Sequence, residues 1–312
     1  MGLFDNNIIC SLLNIQYPII EGGMAWAGSA ELCIAISQAG ALGTIGAGAM
    51  SCKELESAIE TVKKNTLMPF AVNFVVFSPS IDEQVQIAIN MGVPVCIFGA
   101  GNPDRHIQKL KNNGIKVFAV CSSPNLAILL ERAGIDGIIG EGLESGGHVG
   151  DVSTMALIPA IRDRVNVPLI AAGGVFDGRS MVAAMALGAD GVQLGTRFLC
   201  SAESAVSESY KEMIIKKDVR GTHLTGEKLG HPVRVLKTPF TKKVRKIESE
   251  NRAMAEEMIL GSLKNAVLVG DIKNSSFMAG MSAGNIHDIR PVSQIVQRII
   301  AEYKKTIQSL KI

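Results

Sequence analysis

The sequence predicts an α/β fold, a TIM (β/α)8 barrel with a smaller, mainly helical lid insertion after strand eight. Three observations predict it. Eight short apolar runs recur within about 200 residues, the size of one such barrel. The runs are continuous rather than alternating, as expected of parallel strands buried on both faces. Each of the first seven is followed by a stretch with helical periodicity.

In chain order the runs are "YPIIEGGM", "ALGTIGAG", "PFAVNFVVF", "VPVCIFGAG", "IKVFAVCSS", "DGIIGEG", "VPLIAAGG" and "DGVQLGTRF". Stretches such as "ELESAIETVKK" and "IDEQVQIAINM" supply the intervening helices. After strand eight the alternation stops. Residues 201–289 carry helical patterns, "ESAVSESYKEMIIKK" and "KIESENRAMAEEMILGSLKNAV", and irregular pieces containing Gly and Pro. The amphipathic "PVSQIVQRIIAEYKKTIQSL" then returns to close the barrel, with Pro291 suited to its first turn. Residues 1–200 plus 290–312 therefore read as barrel, and 201–289 as an inserted lid or substrate domain.

Composition narrows the function classes. A 312-residue chain with 47% hydrophobic and 19% charged residues can bury a large core. No apolar run reaches the roughly 18 residues of a membrane helix, and Asp5 stands where a signal peptide carries positive charge. A cytoplasmic protein with no membrane partner is expected. The six cysteines form no CxxC pair and mostly sit in apolar runs, so neither a metal site nor a disulfide framework is expected. Residues 216–246 hold ten Lys or Arg against two acids, although the whole chain is only +2. No basic helix interleaved with aromatics accompanies them, and nucleic acid is not an expected partner.

Barrel sites lie at the C-terminal ends of the strands, where two loops stand out. Gly173 and Gly174 end strand seven, and Gly195 and Thr196 end strand eight, the two positions that barrels commonly use to hold a phosphate. Glycine there lets backbone amides approach the oxygens. "GAGAMS" and "GAGNPD" each lack the third glycine of a dinucleotide fingerprint and read as tight turns. The loop "EGLESGGHVGD" after strand six carries one imidazole, His148, behind Gly146 and Gly147. Such a side chain can hydrogen-bond or transfer a proton near neutral pH. His106 and His287 read as solvated or capping residues.

"EGGM", "VNF", "EGLESGGHVG", "AAGG", "GTRF" and "FMAG" occur in an order that resembles the FMN-dependent nitronate monooxygenases, once called 2-nitropropane dioxygenases. Within that family the details resemble enoyl-acyl-carrier-protein reductase II, the FabK type. Glu141 opens the loop, Val149 rather than arginine follows the histidine, and "GHPVRV" and "AVLVGDIKNSSFMAG" resemble reductase segments. Met281 departs from the reductase pattern, which has glutamine after Met-Ala-Gly.

The resemblance implies that Gly22, Gly23, Met24 and Asn73 border the isoalloxazine ring, and that Gly173, Gly174, Gly195 and Thr196 hold the FMN phosphate. It implies that Glu141, Ser145, Gly146 and Gly147 line the same mouth and that His148 faces the substrate as the catalytic residue. His231 and Arg234, in a segment that can fold over the mouth, are expected substrate contacts. NADH or NADPH is the implied electron donor and an acyl-carrier protein the implied partner, with a homodimer as the candidate assembly. Three alternatives stay open: nitronate oxidation by oxygen, a phosphate-binding lyase or isomerase without flavin, and a flavin binder without turnover.

Overall fold

In the computed structural model, which describes residues 3–310, all eight apolar runs form parallel strands. They are Ile19–Glu21, Gly43–Gly46, Phe70–Val75, Val95–Gly99, Lys116–Cys121, Gly137–Glu141, Leu169–Ala172 and Gly191–Leu194. Each pairs with its neighbours in chain order. The first also pairs with the eighth, Ile19 opposite Val192, and an Ile20 to Leu42 bridge joins it to the second, so the sheet closes into a TIM barrel. The first, second, seventh and eighth strands are buried along their whole length, which is why their sequences are continuous apolar runs.

Local chemistry fixes where the outer helices begin. Ser51 and Glu54 form a reciprocal capping box at the start of Cys52–Asn65, and Ser123 caps Pro124–Arg132 with proline in its first turn. The terminal helix Val292–Leu310 packs on Gly178–Ala186. A Cβ at Gly178 would run into the Ile299 carbonyl and the Tyr303 amide, so glycine permits that close approach.

Residues 201–289 hold the helices Glu208–Ile215, Pro239–Glu250, Arg252–Ile259 and Ser262–Leu268. They also hold two strands where the sequence reads as irregular, Thr222–Thr225 and Val233–Leu236, paired antiparallel. A third strand comes from the barrel: Gly147–His148 pairs with Val233 and Arg234. Four-residue strands, one of them polar and the other paired with a loop 85 positions away in sequence, leave little local pattern to read. A second apolar cluster underlies the insertion, with Tyr210 and Phe277 packed edge to face at 4.9 Å and the Tyr210 hydroxyl donating to the Met278 carbonyl at 2.6 Å. Leu199 and Cys200 of the barrel belong to the same cluster, so the two parts share buried surface. Arg197 ties them further through hydrogen bonds to the Asp288 carboxylate at 2.9 Å and the Asp288 carbonyl at 3.0 Å.

Among the described residues no helix is long and apolar enough to cross a membrane. All six cysteines are free and all but Cys52 are buried. His106 differs from its sequence reading: it is buried, because Phe98 on the fourth strand stacks on its ring at 5.9 Å.

Candidate active site

A cavity of about 810 Å3 opens at the C-terminal ends of the strands, and every barrel residue that the sequence singles out for cofactor or catalysis lines it. Its size falls within the range of small-molecule and cofactor sites. After the first strand, Gly22, Gly23 and Met24 form one wall. A Cβ on Gly23 would occupy the space of the Asn73 side chain, so glycine here lets this amide of strand three lie against the first loop. The "GAG" turns contribute as well, since Gly46, Gly48, Gly99 and Gly101 all line the cavity. Between the last two, Ala100 is held at φ 59, a left-handed conformation rare outside glycine.

The loop after strand six is built as a closely packed turn. Gly147 has φ +81, and a Cβ on Gly146 would lie 2.7 Å from the Gly280 amide nitrogen. "Met-Ala-Gly" is clamped there from two sides: the Gly280 amide donates to Thr196 Oγ1 at 2.9 Å and the Met281 amide to the Glu144 carbonyl at 2.8 Å. Glu144 Oε2 in turn accepts from the Thr154 amide at 2.9 Å, supplying the cap that Ser153 does not give to helix Thr154–Arg162. Burial pushes the Glu141 carboxyl up to about 7, while the neighbouring Ser145 acts in the opposite direction. Near neutral pH Glu141 therefore exchanges between acid and carboxylate.

His148 retains solvent exposure within this mouth. Desolvation by the surrounding protein and the nearby His231 nevertheless hold its imidazole below the ordinary histidine value. The neutral ring, with one N–H to donate, is thereby favoured over the charged one.

At the tip of strand seven Gly173 and Gly174 have φ +92 and +78, so both turn their amides in a way that side-chain-bearing residues resist. Gly195 and Thr196 face the same cavity from strand eight. The lining includes no Lys or Arg among the described residues, so an anion held here would rely on backbone amides and hydroxyls. A flavin phosphate fits that donor set. One further observation points to a polar group in the cavity: Gln193 Oε1 is buried there without a hydrogen-bond partner. Sequence reasoning missed Gln193 and Glu144. An amide in the otherwise apolar "GVQL" strand was the available signal for the first, and nothing local marks the second.

His231 and Arg234 stand apart, since neither lines the cavity. Arg234 is buried behind the loop, donating from Nε to the Leu143 carbonyl at 2.9 Å and from a terminal nitrogen to Thr222 Oγ1 at 3.3 Å. Its guanidinium thus supports the histidine loop from the insertion side. Met281 also lies outside the lining, and only its backbone amide is tied to the loop.

The sequence model of the nitronate monooxygenase family matches residues 6–302. The chain belongs to that family. Membership, together with the solved neighbours, makes it a flavin-dependent oxidoreductase. The structure of FabK from Thermotoga maritima superposes with a TM-score of 0.96 at 51% identity, covering 97% of each chain. Nitroalkane oxidase from Streptomyces ansochromogenes gives a TM-score of 0.88 at 25% identity, covering 97% of this chain and 99% of that one. A probable nitronate monooxygenase from Staphylococcus aureus is 32% identical over 98% of this chain and 99% of its own length.

The remaining cavity wall comes from the insertion. Ile259, Leu260, Leu263 and Val267 line it, and Phe77 after strand three joins them. Leu260 and Phe77 are 84% and 71% exposed, so two large apolar side chains stand uncovered at the opening.

Proposed function

We propose that this protein binds FMN in the cavity and reduces the 2,3 double bond of enoyl thioesters carried on an acyl-carrier protein, with NADH or NADPH as donor, in the cytoplasm. The observation that carries the reading is the likeness to FabK, 51% identical over 97% of both chains. The site agrees with it. A lining without Lys or Arg and with apolar rim residues suits a neutral acyl thioester better than a small nitronate anion.

FMN, when bound, supplies the hydride chemistry. The chain's own residues do the rest. The glycines of strands seven and eight hold the phosphate through amides, and Gly22, Gly23 and Asn73 border the ring. The neutral His148 donates its N–H to the thioester oxygen as charge gathers there, which lowers the barrier without requiring the ring to be charged. Glu141, balanced near pH 7, holds a proton in the same mouth. The wall of Ile259, Leu260 and Leu263 covers the acyl chain and excludes water.

Nitronate oxidation remains the second reading, because the curated relatives are described as probable nitronate monooxygenases. An anaerobic titration separates the two. Rapid reduction of the flavin by a nicotinamide, followed by reoxidation with a 2-enoyl thioester and no oxygen, supports the reductase. Rapid bleaching by alkyl nitronates, with sluggish nicotinamides and inert thioesters, transfers the chain to the second reading.

A further inference from the structure

We infer that the outer face of helix Pro239–Glu250, with the neighbouring Lys216, Lys217 and Lys237, is the docking surface for an acidic carrier protein. The inference rests on the reductase reading above and adds the place where the carrier sits. The helix turns Phe240, Thr241, Val244 and Glu248 inward, leaving Lys242, Lys243, Arg245 and Lys246 exposed on its outer side.

Little neutralises these cations. Lys216 pairs with Glu212 at 2.8 Å, and Arg245 reaches Glu227 only at 3.9 Å. Lys242, Lys243 and Lys246 have no ion pair among the described residues. The charges also act together in space: burial first, then Lys242 and Lys237, disfavour the charged form of Lys217 while Asp218 favours it, and burial followed by Arg245, Lys237, Lys242 and Arg234 does the same to His223. In a chain of net charge +2, residues 216–246 hold ten cations against two acids, and a local excess of this kind steers an oppositely charged macromolecule.

The position of that face gives it a purpose. The next helix, Arg252–Ile259, packs directly on Pro239–Glu250, and its last turn supplies Glu256 and Ile259 to the cavity wall, followed by Leu260. A carrier on the lysines therefore rests one helix away from the opening, close enough for a flexible thioester arm to enter beside Leu260. Nucleic acid is the less suited polyanion, since the only aromatic of the helix, Phe240, is buried and offers no stacking platform.

The test uses the flavin-loaded full-length protein, an enoyl thioester on acyl-carrier protein, the same acyl group on a small thiol, and the triple variant Lys242→Glu, Lys243→Glu, Lys246→Glu. Direct binding of acyl-carrier protein is followed by fluorescence anisotropy alongside the kinetics. The expected result is a tenfold or greater rise in KM for the carrier-bound substrate, unchanged kinetics with the small thioester, and carrier binding that weakens as salt rises. Equal effects on both substrates, or unaltered carrier binding by the variant, overturn the docking surface while leaving the reductase reading intact. A wild-type protein that turns over neither thioester and binds no carrier removes both. Binding of a single-stranded oligonucleotide as tight as that of the carrier, and equally lost in the variant, shows a general polyanion surface and overturns the inference as well.

Discussion

The two halves of the cavity are made of different material. The barrel half is rich in glycine: Gly22, Gly23, Gly173, Gly174 and Gly195 line it, and two of them sit at positive φ. The insertion half is side chain, a wall of Ile259, Leu260, Leu263 and Val267. A backbone surface is fixed by the fold and presents the same amides whatever the neighbouring sequence, which suits a constant ligand such as a cofactor. A side-chain surface changes with every substitution, which suits a substrate that differs between relatives. The neighbours of this barrel include both a FabK and a nitroalkane oxidase, so one fold is compatible with different activities.

The largest expected effect attacks the backbone half. In Gly174→Val a β-branched residue must adopt φ +78 and place its side chain where the phosphate is proposed to lie. Flavin affinity should fall roughly a hundredfold, the combined cost of a left-handed β-branched residue and a lost phosphate contact. Visible absorbance of the purified protein measures it. A variant that keeps its yellow colour and stoichiometry would show that the phosphate lies elsewhere.

Replacing His148 with alanine separates chemistry from binding. The side chain belongs to the loop after strand six, and the phosphate is assigned to the glycines of strands seven and eight, so flavin content should be unchanged. Turnover should fall by about a hundredfold, the usual contribution of a positioned donor. Unaltered kcat with the enoyl thioester would leave His148 as a strand residue paired with Val233 and nothing more.

The same contrast explains what could be read without coordinates. Parallel strands buried on both faces announce themselves as apolar runs, and glycines required by backbone geometry are visible as letters, so the barrel and its half of the cavity were legible. Arg234 was not. Its buried guanidinium answers the Leu143 carbonyl, a contact between residues 91 positions apart in the chain. The hairpin of Thr222–Thr225 and Val233–Leu236 was invisible for a related reason, because the strand that completes its sheet belongs to the histidine loop. Glu144 and Gln193 look like ordinary loop and strand residues until the fold turns them toward one cavity.

Leu260→Asp probes the side-chain half. Since Leu260 is 84% exposed, the substitution should cost little stability. A long acyl chain that covers the leucine gains up to about 1.5 kcal/mol from that burial, so KM for long-chain enoyl thioesters should rise about tenfold. Crotonyl thioester, too short to reach the rim, should be unaffected. Equal losses on both would place Leu260 in catalysis or folding instead of chain-length selection.

The smallest effect is one of pH on the insertion. His223, in the insertion, is buried with Nε2 2.9 Å from Thr241 Oγ1, and burial, followed by Arg245, Lys237, Lys242 and Arg234, lowers its pKa to about 4. An unfolded histidine titrates near 6.5, so the unfolded chain binds the extra proton first. The stability involved is fully present above pH 6.5 and is lost as pH falls toward 4. At pH 5 the loss is on the order of 1 to 2 kcal/mol, and added salt reduces the share that comes from the exposed cations. His223→Gln keeps a hydrogen-bonding side chain but carries no proton to gain, so its melting temperature should fall a few °C less than that of the wild type between pH 7 and pH 5. The difference should shrink in high salt. Parallel pH profiles for the two proteins would mean that His223 is not held neutral by its surroundings.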